Sequence, residues 1–240
     1  MKIMQVKNLT KKYHNGEGID QLSFSIHAGE IVALLGPNGA GKTTTIRCIT
    51  GLYKSDNGDI EINGLRPGDN RVQRMVALIP DQPYLYPSLT VAEHLQFRAK
   101  AFNIKENIQE KVQEALKKVN MEGKADRITG QLSRGQKQRA VLAGAIIQDA
   151  LLYILDEPTV GLDIPSKQWL SQWLINKAKN EGAAALVSTH SLDFVLETAH
   201  RVLLIRDGIL IKEIDVPENQ KDYLAWKQEV IDLLGDWSDD

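Results

Sequence analysis

A chain of 240 residues can bury a sizeable core, as one large domain or a domain with a lobe, and its 42% hydrophobic and 25% charged content is ordinary globular composition. A formal net charge of −2 gives no electrostatic case for nucleic acid as a partner, and a single cysteine, Cys48, excludes an intramolecular disulfide and fits a reducing compartment. The alternating, charge-bearing start is not that of a signal peptide, and no apolar run approaches the ~20 residues that cross a bilayer, so any membrane role has to come through a partner.

From Met1 to about Glu30 the pattern predicts strands. Ile3, Gln5 and Lys7 oppose Met4 and Val6, and Leu22, Phe24 and Ile26 share a face, with Asn15-Gly16-Glu17-Gly18 as the turn. Tyr13 near the end of the first strand either covers a sheet edge or offers a π-face to a purine ring. The apolar run Ile31-Val32-Ala33-Leu34-Leu35 then meets Gly36-Pro37-Asn38-Gly39-Ala40-Gly41-Lys42-Thr43, followed by Thr44-Thr45-Ile46. Strand, glycine-rich loop and helix is the order of a phosphate-cradling P-loop. Glycines let successive N–H groups converge on one anion, and the helix start adds its positive end. Lys42 reaches the β/γ-phosphates in such a loop, and the Thr43 hydroxyl reaches Mg²⁺. The run of three threonines opposes a helix start by propensity, a local conflict of the kind that function imposes.

Gly58 to Gly64 alternates and ends in an Asn-Gly turn signal, and Met75 to Pro80 reads as a buried strand stopped by proline. Gln82 follows on the loop at that strand's carboxyl end, where open α/β sheets bind ligands; alone it reads as a solvated amide. From Leu89 to Gln148 the character is helical, with Thr90 and Glu93 in capping-box spacing and Ile108, Val112, Ala115, Leu116 and Val119 on one face. This block is too long for a crossover helix and predicts an inserted helical lobe. Leu132-Ser133-Arg134-Gly135-Gln136 opens the lobe's last helix. Ser133 there is an N-cap, and the same hydroxyl, glycine and N–H groups also suit an anion. If the lobe projects outward, that anion lies in a second copy of the chain.

Leu151 to Leu155 predicts a central parallel strand, and Asp156-Glu157 stands at its end. A carboxylate pair can simply cap a turn. Beside a P-loop, Asp156 is placed to hold the metal shell and Glu157 to orient or deprotonate the attacking water. Ser166 to Lys179 predicts a helix buried along Trp169, Leu170, Trp173 and Leu174, and Ala184 to Thr189 a further strand. His190 after it is either a packing residue or a hydrogen-bond donor to a terminal phosphoryl group. Asp207-Gly208 predicts a hairpin, and Tyr223, Trp226, Val230, Leu233 and Leu234 an amphipathic helix before a polar acidic end.

In this order the motifs resemble the ATP-binding cassette (ABC) ATPases over nearly the whole chain: Tyr13, Gly36 to Thr43, Gln82, Leu132 to Gln136, Asp156-Glu157, Gly161-Leu162-Asp163 and His190. The resemblance implies an α/β fold, a P-loop NTPase core of RecA-like type with an antiparallel β subdomain and an inserted α-helical lobe. Its parts would be a core of about 1–87 and 149–215, a lobe of about 88–148 and a helical tail of about 216–240. It implies ATP and Mg²⁺ as cofactors. Catalysis falls to Glu157, His190 and Gln82, and metal binding to Thr43, Gln82 and Asp156. Nucleotide contacts come from Tyr13, the P-loop through Thr44 and, from a second subunit, Ser133, Gly135, Gln136 and Asp163. Two subunits, identical or different, would close head to tail over two ATP molecules, at the cytoplasmic face of a membrane and against an integral permease. Tyr84, Leu85, Tyr86 and the helix around Leu95 to Phe102 are the expected permease contacts. The likeness is to export subunits; a soluble ABC ATPase of an assembly or repair machine is the alternative. Arg134 departs from the family, which has glycine there.

Overall fold

In a computed structural model that describes residues 1–235, two sheets share one core. Strands β1 (Lys2–Lys12), β2 (Gly18–His27) and β4 (Asn57–Ile62) form a three-stranded antiparallel sheet in the order β2-β1-β4. The expected alternation of β1 fails at its start. A register shift between Lys2 and Met4 accompanies burial of Ile3 beside Met4 and Val6, the pair it was expected to oppose. Leu22, Phe24 and Ile26, expected to share a face, are all buried.

The second sheet runs β5 (Val76–Ile79), β6 (Leu152–Asp156), β7 (Ala184–Ser188), β3 (Ile31–Leu35), β8 (Arg201–Arg206) and β9 (Ile209–Asp215), all parallel but the last. Strands β3, β6 and β7 are buried at every position, which is why they read as unbroken apolar runs. Leu34 pairs with Ser188, and Ser188 with Asp156, so three strand ends stand in one row. Helix α1 (Lys42–Ile49) springs from the end of β3 and buries Ile46, Cys48 and Ile49 between the two sheets.

A short helix that periodicity did not reveal, α2 (Asn70–Met75), precedes β5. The 89–148 block holds three α-helices, α3 (Val91–Ala101), α4 (Ile108–Lys118) and α5 (Arg134–Gln148). The capping box at Thr90 is formed: Thr90 Oγ1 accepts from Glu93 N, and Glu93 Oε2 from Thr90 N at 2.8 Å. Val112, Ala115, Leu116 and Val119 are buried on the predicted face, and their cluster runs on without a break into Tyr153, Leu170 and Trp173 of the core. Helix α6 (Ile164–Glu181) starts before its apolar stripe because the Asp163 carboxylate caps it and Pro165 suits a first turn. Helix α7 (Leu192–Thr198) leads into β8, and the Asp207-Gly208 hairpin into β9. Helix α8 (Tyr223–Leu234) lies on β8 and buries Trp226, Val230 and Leu234, side chains worth about 1.5–3 kcal/mol each when removed from water. The polar acidic end expected after it lies outside the described residues.

Candidate nucleotide site

The P-loop closes on its own lysine. Lys42 Nζ donates to Gly36 O at 2.6 Å and Pro37 O at 3.3 Å, and stands 3.9 Å from Glu157 Oε1. The side chain is only 8% exposed, and burial lowers its pKa from the ordinary lysine value against the pull of Glu157 and Asp156. A desolvated cation with no close counter-ion favours an incoming anion. Helix α1 has no side chain capping its first turn, so the N–H groups that a helix start leaves unpaired face the same space. Two glycines are obligatory on packing grounds: a Cβ on Gly36 would lie 2.2 Å from Ile205 O, and Gly41 sits at φ +103° with Ile19 Cγ2 2.5 Å from where a Cβ would be.

The walls come from neighbouring strand ends. The Ser188 hydroxyl donates to Asp156 Oδ1 at 2.5 Å and fixes that carboxylate, while Glu157 N donates to Ser188 O at 3.0 Å. Glu157 holds a positive φ of 46°, an uncommon conformation for a side chain of its size, and this turns it off the strand line. Its Oε2 lies 3.0 Å from His190 Nδ1, yet off the direction a hydrogen bond requires, and is buried without a hydrogen-bond partner. An orphaned buried carboxylate oxygen is costly, and a water or a substrate group would satisfy it.

Together Asn38, Gly39, Ala40, Gly41, Lys42, Thr43 and Thr44 meet Glu157 and His190 around a cavity of about 320 Å³. Tyr13 stands at its rim, its hydroxyl 3.1 Å from Thr44 Oγ1 and its ring 39% exposed. Gln82 and Asp156 do not line this cavity. They line a larger groove of about 650 Å³ between core and lobe, with Arg47, Tyr84 and Arg98. The larger hollow is not where the phosphate chemistry lies, because the P-loop N–H groups and Lys42 open into the smaller one. Asp81, which the sequence reading passed over, lines both. A carboxylate two residues after β5 was the available signal.

Ser133, Gly135, Gln136 and Asp163 are brought together elsewhere. Ser133 Oγ accepts from Gln136 N at 3.3 Å, and Gln136 Oε1 from Ser133 N at 3.2 Å, a complete capping box. Gly135 packs on the backbone of Gly161, whose carbonyl oxygen would lie 2.6 Å from an added Cβ. Asp163 accepts from Ser166 N and from Arg139 Nη2 at 2.7 Å, and these contacts, the Ser166 ones foremost, lower its pKa below the usual carboxylate range. None of the four lines the P-loop cavity. Of the expected permease contacts, Tyr84 is 79% exposed and Tyr86 and Phe97 are exposed and meet edge to face, while Leu95 is buried and Leu85 packs on the core.

A glycine loop and helix start that gather phosphate, with a carboxylate at the end of the next strand but one in the sheet, define a P-loop nucleoside triphosphatase. A family model described as "ABC transporter" matches residues 19–160. The chain is 66% identical over 241 residues to the SkfA peptide export ATP-binding protein SkfE of Bacillus subtilis (strain 168), with 100% of both covered. It superposes with a TM-score of 0.84 and 31% identity on a solved ATP binding subunit of an ABC transporter, covering 95% of this chain and 94% of that one. A dimeric ATP-binding cassette in a post-hydrolysis state with ADP and phosphate gives a TM-score of 0.82 at 25% identity, over 90% of this chain and all of that one. The chain belongs to the ABC transporter family, as an ATP-binding and ATP-hydrolysing subunit whose hydrolysis is coupled to transport. No helix among the described residues is long and apolar enough to cross a membrane.

Proposed function

We propose that this subunit drives export of a peptide, as one of two cassettes closing over ATP against an integral permease at the cytoplasmic face of a membrane. The observation that carries it is the separation of Ser133 and Gly135 from the chain's own P-loop cavity. Their helix start can serve a phosphate only in another subunit, identical or different. The 66% likeness over the full length to a peptide-export subunit supports the cargo class, and the exposed Tyr84, Tyr86 and Phe97 beside the groove support a docked partner.

Within the site, Lys42 and the N–H groups of α1 hold the phosphates, and the exposed ring of Tyr13 offers a stacking face to the base. Glu157 accepts a proton from the attacking water, at the oxygen now buried without a partner, and His190 beside it donates toward the terminal phosphoryl group. Among the described residues no three acidic, histidine or cysteine side chains form a metal cage, which fits Mg²⁺ carried in on phosphate oxygens rather than held by protein alone. Thr43 and Asp156 would hold it, with Gln82 reaching from the groove, and it would neutralise charge on the phosphates.

Replacing Glu157 by Gln tests the reading. Hydrolysis falls by about 10²–10⁴-fold, and the variant, alone or with its partner subunit, accumulates as an ATP-dependent dimer by light scattering. A variant that keeps its hydrolysis, or loses it without ever pairing, overturns the proposal.

A further inference from the structure

Asp81 and Arg134 connect the two halves of the chain. Arg134 is the residue that departs from the family pattern. It lies in the first turn of α5, between Ser133 and Gly135, and its Nη2 donates to Asp81 Oδ1 at 3.3 Å. Asp81 belongs to the core, two residues beyond β5, and faces the P-loop cavity. Both side chains are open to solvent, at 58% and 43% exposure. A screened pair of this kind shifts an equilibrium by no more than about five-fold, so a stronger partner for either member displaces it.

We infer that Asp81 and Arg134 are positioning residues forming a breakable latch, through which a chain's own nucleotide site controls the helix start that serves its partner. The inference rests on the Mg²⁺–ATP reading of the site. A bare polyphosphate in the cavity repels the Asp81 carboxylate and leaves it on Arg134. With a divalent cation on the phosphates that repulsion would be offset, and Asp81 would turn inward toward it. Arg134 is then released, and with it the first turn of α5 carrying Ser133 and Gly135. Asp81 suits this role better than Gln82, because Asp81 alone lines both the cavity and the groove and alone carries the charge that binds Arg134. The glycine usual at the position of Arg134 has no side chain with which to make such a latch.

The test uses the full chain below its dimerisation concentration, with ATP affinity as one readout and a spin-label distance between lobe and core as the other. Arg134→Ala removes the competitor, so ATP with Mg²⁺ binds more tightly, by up to about five-fold, while ATP with EDTA binds as to wild type. The nucleotide-free Arg134→Ala chain already shows the broadened lobe–core distances that wild type reaches only with Mg²⁺–ATP. Asp81→Asn broadens them equally, and adding Arg134→Ala to it changes nothing more. Unchanged affinity with Mg²⁺, an equal gain in EDTA, or additive effects in the double variant would each overturn the latch. Failure of wild type to bind Mg²⁺–ATP at all would sink the site reading itself, which separates the two.

Discussion

The P-loop cavity and the start of α5, the two ends of the proposed nucleotide site, are left in opposite states. In the cavity, Lys42 is buried with its nearest carboxylate oxygen at 3.9 Å, α1 begins without a side-chain cap, and a Glu157 oxygen is orphaned. At α5, the Ser133–Gln136 box is closed on itself and Arg134 has its carboxylate. One end of the site is held in want of a ligand, the other is content alone. The first therefore binds whenever nucleotide is present, while the second has to exchange internal bonds for external ones. Closure of two subunits is accordingly the step expected to cost most.

The sharpest way to break this comparison is to remove the core's buried cation. Lys42→Met keeps the length of the side chain and deletes the ammonium. A charge-assisted contact is worth about 1.5–3 kcal/mol, so ATP affinity falls by about 10–10²-fold. The nucleotide-free protein should melt close to wild type, because the lost donations to Gly36 O and Pro37 O are offset by removal of a desolvated cation. Calorimetry with and without ATP reads both. A variant that melts lower without nucleotide would mean that Lys42 holds the loop together rather than waiting for phosphate.

The lobe has unsatisfied groups of its own, at His94, Gln138 and Gln148, and the first of them makes stability depend on pH. His94 of α3 is buried; its Nδ1 accepts from Tyr86 N at 3.4 Å and its Nε2 has no partner. Burial, and then nearby Arg98, pull its pKa down from 6.5 to about 4. The unfolded chain takes the proton first as pH falls, so the neutral ring's contribution is whole above about pH 6.5 and is lost on the way down toward 4. Between pH 7 and 5 that amounts to about 2 kcal/mol. Urea midpoints of wild type and His94→Gln should converge as pH drops. Parallel slopes would show that His94 does not titrate as its burial requires.

The core was more legible in the sequence than the site around it, for a physical reason. Strands such as Leu152–Asp156 are buried on both faces, so composition alone announces them, and Gly36 to Thr43 is constrained by its own backbone. Thr90 and Ser133 declared their caps because a capping box is local in sequence. Asp81 was hidden because its partners are far along the chain: Arg134 is 53 residues away, and Gln82 beside it offered the familiar amide. Burial of Ile3 beside Met4 comes with a register shift, which alternation cannot foresee. Helix α2 has one buried residue, Val72, and so carried almost no periodic signal.

The smallest expected effect separates a cap from a binding group. Ser133→Ala and Thr90→Ala each delete the acceptor of a closed capping box, and each should cost about 1 kcal/mol of stability. If α5 is merely a capped helix, the two variants behave alike in every assay. If its start also meets a partner's triphosphate, Ser133→Ala alone weakens the ATP-dependent pairing of subunits, while ATP binding to the isolated chain stays at the wild-type value for both. Titrating dimer formation in a Glu157→Gln background isolates this difference from turnover. The contrast matters because stability falls equally in the two variants, so a change in pairing confined to Ser133 has no explanation in folding and has to come from the contact across the interface.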